Sequence, residues 1–440
     1  MKRRLRLKKS IFRILIFLTV LLLLFAFLLL SRVNVSKKPV DKREDYINLI
    51  VSHDEFKSEE KFLKWILNEY GEGVLSKLNK FLKDAKYDKS LWHELTGKSY
   101  IVLHDLYEKN YVDKNNVKYV EEKKNMSNIS FVGDVSLADN WKIMPYYNSR
   151  GKGVYGILSE EVVKYMNDSD WTVANSEFAF SNNGSPLPNK LYTFRADPRN
   201  VSIYDEMGVD MVTLANNHVY DYGGEAFIDT LNTFKEHGLP YIGAGINSAE
   251  AQGAYYLISN GYKISFLNAS RAEKYVMTPG AGEDSPGIFR CYDPSILVQR
   301  IKEEKEKSDY VVVILHWGRE DSHMLEDVQK ETGKLYIDSG ADLVVGHHAH
   351  ILQGMELYNG KLIAYNLGDF IFCGLTQETG ILTWRLNYDG TSEFYFKPAV
   401  QKNYYTSFLD GDNSLELYSK MREWSINVDF LEDGKIVERS

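Results

Sequence analysis

The hydrophobic positions of this chain change period along its length. An uncharged apolar run of 17 residues, ILIFLTVLLLLFAFLLL, extends from Ile14 to Leu30. From Ser36 to about Asn125 the apolar positions follow a helical period. EEKFLKWILNEY sets Phe62, Leu63, Trp65, Ile66 and Leu67 on one face, and VLSKLNKFLKDA continues with Val74, Leu75, Leu78, Phe81 and Leu82. Near Met126 the pattern turns to short apolar strands alternating with amphipathic helices. Strands are expected at Ile129–Val132, Trp171–Ala174, Asp210–Ala215, Tyr310–Leu315 and Leu343–Val345. Helices are expected at Ser159–Met166, Pro198–Met207, Glu225–His237, Pro294–Lys307 and Val328–Ser339. Asn260–Gly261, Asn359–Gly360 and Asp389–Gly390 mark hairpin turns. Apolar strands alternating with helices predict a parallel sheet covered on both faces, and the hairpins add antiparallel strands, which together make an α/β, αββα sandwich.

Polar residues fall where the strands stop. Asp134, Glu177, Asn217–His218 and His316 each follow an apolar strand directly, and VVGHHAH places His347, His348 and His350 after Leu343–Val345. Gly346 is expected to let the backbone turn there. Only ten histidines occur in the chain, and three of them fall in these four positions. Taken singly, a Gly-Asp after a strand is usually a turn and an Asn-His a helix cap. In open α/β sheets, however, ligands gather at the carboxyl ends of strands, so the five clusters are expected to meet in one site. Mixed carboxylate, amide and imidazole donors suit a divalent ion such as Mn²⁺, Zn²⁺ or Fe²⁺. Two such ions would activate water for an in-line displacement, with a histidine that is not a ligand as proton donor. Arg195 and Arg319 are candidates for an anionic substrate group, and Glu320 and Asp369 for orienting the histidines.

Composition changes this picture mainly at the N-terminus. The net charge of −8 excludes a general nucleic-acid binder. The basic start MKRRLRLKKS precedes the apolar run, and the following SRVNVSKK offers no small-x-small cleavage site. We therefore expect residues 1–10 in the cytoplasm, a single membrane-spanning anchor at 11–31, and the rest outside the cell. Residues 36–125 would be a helical spacer, 127–400 the main domain and 401–440 a C-terminal extension. Cys291 and Cys373 are too few for a disulfide scaffold and are expected as small apolar side chains.

Six segments, in order, carry a resemblance: GDVSLA, ANSEFAFS, LANNHVYDYG, YIGAGINSAEA, LHWGRE and GADLVVGHHAHILQGMELYNGKLIAYNLGDFIF. Over Ser127–Lys397 the chain resembles the CapA family of poly-γ-glutamate capsule biosynthesis proteins, related to calcineurin-like metallophosphoesterases. The resemblance implies a four-layer αββα fold on the outer face of a bacterial membrane, one or two divalent metals, an anionic polymer, and the subunits of a poly-γ-glutamate synthase as partners. It makes Asp134, Glu177, Asn217, His316, His348 and His350 metal ligands, His347 an additional or substitute ligand, and His218 the general acid. Two positions depart from the phosphoesterase pattern: Ser136 stands where its first motif has histidine, and Glu177 replaces an aspartate. These departures favour a metal site over phosphoester hydrolysis as such. The leading expectation is a membrane-anchored metal-dependent protein of polymer biosynthesis or export. The alternatives are a non-catalytic scaffold of the synthase and an unrelated extracellular phosphodiesterase.

Overall fold

The computed structural model describes residues 42–84, 87–108, 116–119, 126–273 and 277–439. The expected membrane anchor lies outside these residues. Among the described residues, no helix is long and apolar enough to cross a membrane. The chain divides into two compact units, one ending at Leu91 and one running from Trp92 to the C-terminus.

The first unit is helical. Helices Lys42–Val51, Glu60–Tyr70 and Glu72–Asp84 bury Ile47, Ile50, Phe62, Leu63, Ile66, Leu75 and Leu78. These are the apolar positions of the helical repeat, and the lysines and glutamates between them stay in solvent.

The second unit contains two mixed sheets. In the larger, Met126–Val135, Trp171–Ser176, Met211–Thr213 and Tyr241–Ile242 run parallel, Asp369–Ile371 pairs parallel with Met126–Val135, and the antiparallel strands Gln377–Asn387, Ser392–Lys402 and Tyr405–Phe408 extend one side. In the other, Tyr262–Ser270, Tyr310–His316, Leu343–His347 and Lys361–Ala364 run parallel, with Tyr255–Ser259 and Met355–Tyr358 antiparallel beside them. Asn260–Gly261 and Asn359–Gly360 both take positive φ, as two-residue hairpin turns require.

Alternation along single strands explains the layers. In Tyr310–His316, Val312 and Ile314 face a core shared with Ile129, Phe131, Trp171 and Val173 of the other sheet. Val311, Val313 and Leu315 face the opposite way, onto Leu297 and Ile301 of helix Ser295–Lys305 and Tyr336 and Ile337 of helix Asp327–Asp338. The outer face of the larger sheet packs Val132, Ala174 and Val212 against helices Glu160–Asp168 and Gly223–His237. The order is helix, sheet, sheet, helix, and YVVVIL is apolar throughout because both its faces are buried. Packing continues to the C-terminal residues: helix Gly411–Trp424 lends Leu417, Tyr418 and Met421 to the core between the sheets.

One local expectation needs correction. The strand does not break at Gly346 but continues to His347, and Gly346 does not have positive φ. Glycine is required there because a Cβ would overlap the carbonyl oxygen of Tyr365 and the indole nitrogen of Trp317. The left-handed backbone comes later, at His348 (φ 96°) and His350 (φ 60°).

Candidate metal centre

The parallel strands of both sheets deliver their last residues to one buried cluster. Asp134 is fully buried at the end of Met126–Val135. It accepts a 2.8 Å hydrogen bond from the Asn175 amide and a 3.1 Å bond from the backbone N–H of His348. His347 Nδ1 lies 3.1 Å from the same carboxylate. Asp369 is in register with Asp134 on the neighbouring parallel strand and accepts from His350 Nδ1 at 2.8 Å.

Glu177 follows Trp171–Ser176 and is also fully buried. Its Oε1 is 3.4 Å from His316 Nε2 and 3.9 Å from His218 Nε2. Asn217 Oδ1 is 2.6 Å from His316 Nε2. The loop carrying Asn217 and His218 is held by Asn216, whose side-chain oxygen accepts from the N–H groups of His218 and Val219 and whose amide donates to Ser176 O.

Two sets of donor atoms emerge, each lying within 4.8 Å of one another: Glu177, His316 and His348, and Asp134, His350 and Asp369. Asp369, which the sequence placed behind the ligands, contributes a donor atom of its own. His347 falls in neither set. Glu320 is exposed, 3.9 Å from His348, and Arg319 is exposed beside it. Arg195 lies apart from the histidines: it donates to Asn183 O and stacks 4.3 Å over the Tyr222 ring.

The electrostatics of the cluster are those of a site built for cations. Burial and repulsion from Asp134 hold Glu177 well above the usual carboxylate range. Burial alone would raise Asp134, but the nearby His347 and His350 rings and the Asn175 amide bring it below its ordinary value. Burial pushes His316 well down and His348 down to about 3, so both rings are neutral donors at pH 7. Burial opposes the charging of His350, yet Asp369, Glu177 and Asp134 hold it well above 6.5. Burial likewise raises Asp369, to about 6, against the pull of His350. Glu177 Oε1 and His348 Nδ1 are buried without a hydrogen-bond partner. Such orphaned donors would be costly unless a cation fills them, and the carboxylate–imidazole–amide set fits a borderline divalent ion.

Three participants escaped the sequence reading. Asn175 is a buried amide joining Asp134 to Glu177 (3.2 Å), and its place at a strand end two residues before Glu177 was the available signal. Asp221 accepts from His218 Nδ1 at 2.7 Å, fixing the ring with Nε2 toward Glu177. Lys190 is buried behind it, paired with Asp221 at 2.8 Å and Glu273 at 3.1 Å, and it donates to Asn217 O. Nothing in the local pattern of its loop marked Lys190.

A mixed α/β sandwich with a buried carboxylate–histidine cluster at the carboxyl edge of its sheets is the class of protein these features define. Residues 128–373 match the family model "Bacterial capsule synthesis protein PGA_cap". The chain belongs to that family. It is 29% identical over 316 residues to "PGA biosynthesis protein CapA" of Bacillus subtilis, covering 70% of this chain and 80% of the relative. It is 30% identical over 287 residues to "Capsule biosynthesis protein CapA" of Bacillus anthracis, covering 63% and 67%.

Proposed function

We propose that this chain is a membrane-anchored, metal-dependent hydrolase of the metallophosphoesterase type that acts in the synthesis or export of poly-γ-glutamate at the cell surface. The observation that carries the reading is the pair of adjacent donor sets with His218 oriented beside them. Glu177, Asn217, His316 and His348 would hold one divalent ion (Mn²⁺, Zn²⁺ or Fe²⁺), and Asp134, His350 and Asp369 a second. Bound there, the metal supplies a polarised electrophile and an activated water. The rest is the work of side chains. Asp221 keeps His218 Nδ1 protonated and turns Nε2 toward the donor sets, where it can deliver a proton to a leaving group. Burial lowers the affinity of His218 for a second proton against the opposing pull of Asp221, so the neutral ring must first take one up at Nε2 before passing it to a leaving group. The basic N-terminal segment and apolar run support a single-pass anchor with the sandwich outside the cell, and the names of the Bacillus relatives support a part in PGA or capsule biosynthesis.

The test combines metal analysis of the purified chain with hydrolysis of γ-glutamyl peptides and model phosphodiesters. His218→Ala should keep bound metal and lose hydrolysis by ~10²-fold or more, the usual contribution of a general acid. Equal turnover in the variant would remove the catalytic role. A second reading, a non-catalytic scaffold of the synthase, is favoured by Ser136. Its buried hydroxyl has no partner where the phosphoesterase pattern has a ligand. Under that reading, alanine at both Asp134 and His348 leaves polymer production in cells intact.

A further inference from the structure

We propose that a basic cleft separate from the donor sets binds the carboxylates of an extended anionic chain. The proposal rests on the reading above for the identity of the polymer, but on its own observations for the place.

The cleft, of about 620 Å³, lies between helix Ile143–Arg150 with the turn that follows it and the Lys402–Tyr405 hairpin. Its charged lining residues are Arg150, Lys152 and Lys402; no carboxylate lines it. None of the three makes an ion pair among the described residues. The neighbouring clefts differ in carrying carboxylates among their lining residues. One sets Lys164 and Lys397 against Glu161, Asp168 and Asp410, and another sets Arg385 and Lys397 against Asp168 and Asp433. Cations at the surface without a carboxylate beside them are open to anions.

Arg150 is already positioned. Its guanidinium donates to Gly156 O and, at 3.2 Å, to Asn403 O, and it lies 5.0 Å over the Tyr146 ring and 5.6 Å over the Tyr405 ring. A guanidinium fixed in this way loses little further freedom when it binds a carboxylate. The hairpin opposite has a backbone conformation that residues other than glycine seldom take. Asn403 and Tyr404 both take positive φ, 53° and 59°, and Tyr404 occupies the turn position where glycine is usual. This backbone sets the Tyr404 ring against Gly374, where a Cβ would come within 2.6 Å of it, and 4.5 Å from the Tyr146 ring.

These contacts also join the two places. Asp369 lies 3.6 Å from Cys373 Sγ, Gly374 follows and carries Tyr404, Tyr404 touches Tyr146, and Tyr146 touches Arg150. Packing contacts therefore tie the wall of the cleft to the strand end that carries Asp369. Three cations along one cleft suit a ligand of repeated carboxylates better than a small single anion. A γ-linked polyglutamate, with one free carboxylate on every residue, has the required form.

The test is fluorescence anisotropy of a labelled poly-γ-glutamate oligomer with the purified full-length chain. Lys152→Glu with Lys402→Glu changes two exposed side chains and is expected to fold normally; adding Arg150→Glu completes the reversal. The double variant should bind the oligomer about tenfold more weakly or worse, with bound metal unchanged, and wild-type binding should fall with salt. Wild-type affinity in both variants would overturn the proposal, as would a wild-type chain that does not bind the oligomer. Tighter binding of polyphosphate than of polyglutamate would overturn the carboxylate assignment. Failure of the metal reading is seen separately: Asp134→Asn with His348→Ala would then leave metal content and polymer production unchanged, whatever the cleft variants do.

Discussion

Replacing Lys190 by methionine tests how the metal centre is held. The ammonium is 8% exposed and makes ion pairs with Asp221, which is fully buried, and Glu273, which is 14% exposed. Methionine fills nearly the same volume as the lysine stem, so the cavity contribution is small and the electrostatic loss dominates. Removing one partner from a buried pair typically costs 3–5 kcal/mol, because the remaining charge is left without compensation. Asp221 keeps two other partners, the N–H of Phe194 at 2.7 Å and His218 Nδ1 at 2.7 Å, so the lower end applies. We expect Lys190→Met to lower stability by about 3 kcal/mol. The assay is urea unfolding of the metal-free chain followed by tryptophan fluorescence.

Two further arms separate this cause from simple loss of packing. Lys190→Met combined with Asp221→Asn removes the uncompensated carboxylate and should recover a third or more of the loss, whereas a packing defect would not be recovered. The charge of Lys190 also acts to lower the pKa of His218. Without it, His218 should titrate at higher pH, observable by NMR of the ring. An unfolding midpoint within about 0.5 kcal/mol of wild type would refute the account, since exposed lysines are the ones that can be lost at that cost. It would mean that Asp221 does not depend on Lys190 for its charge, and the description of how His218 is oriented would fall with it.

Gly346→Ala forces a Cβ against Tyr365 O and Trp317 Nε1, which are joined by a 2.9 Å hydrogen bond. Overpacking and an unsatisfied buried indole together should cost on the order of 3 kcal/mol, read as a lower melting temperature; an unchanged melt would refute the close-approach argument. For the metal-free chain, the folded pKa of His348 is lowered from 6.5 to about 3. Its contribution to stability is therefore complete above pH 6.5 and is lost as pH falls toward 3, so His348→Ala should flatten the acid limb of a melting-temperature profile. His350 carries the opposite sign: its raised pKa gives stability that is complete below 6.5 and is lost as pH rises through the folded value. A divalent ion must displace that proton, so the stabilisation it confers should increase with pH; a flat dependence in calorimetric titrations would count against His350 as a ligand.

What the sequence displayed depended on whether a residue's role followed from its own strand. Asp134, Glu177, His316 and the histidines after Leu343 stand at the ends of runs that are apolar on both faces, and such runs are conspicuous in any chain. Their convergence follows from parallel strand direction alone. Lys190 could not be found in this way. It lies in a loop of proline, asparagine and glycine, and its partners Asp221 and Glu273 are distant in sequence, the latter 83 positions away. Asp369 was visible as a residue but not as a donor, because its role depends on pairing with Met126–Val135 across more than two hundred positions. That pairing bears on the most conspicuous gap in the motifs. The Ser136 N–H donates to Ile371 O at 2.7 Å, so the serine is tied to the strand that carries Asp369. The same pairing sets the Asp369 carboxylate beside Asp134 and His350. The candidate donor set that lacks the first-motif histidine includes the Asp369 carboxylate from the adjacent strand, and His347 Nδ1 lies 3.1 Å from Asp134 beside it. If that set holds a divalent ion as proposed, a carboxylate in place of an imidazole makes it harder and more anionic, which favours Mn²⁺ over softer ions.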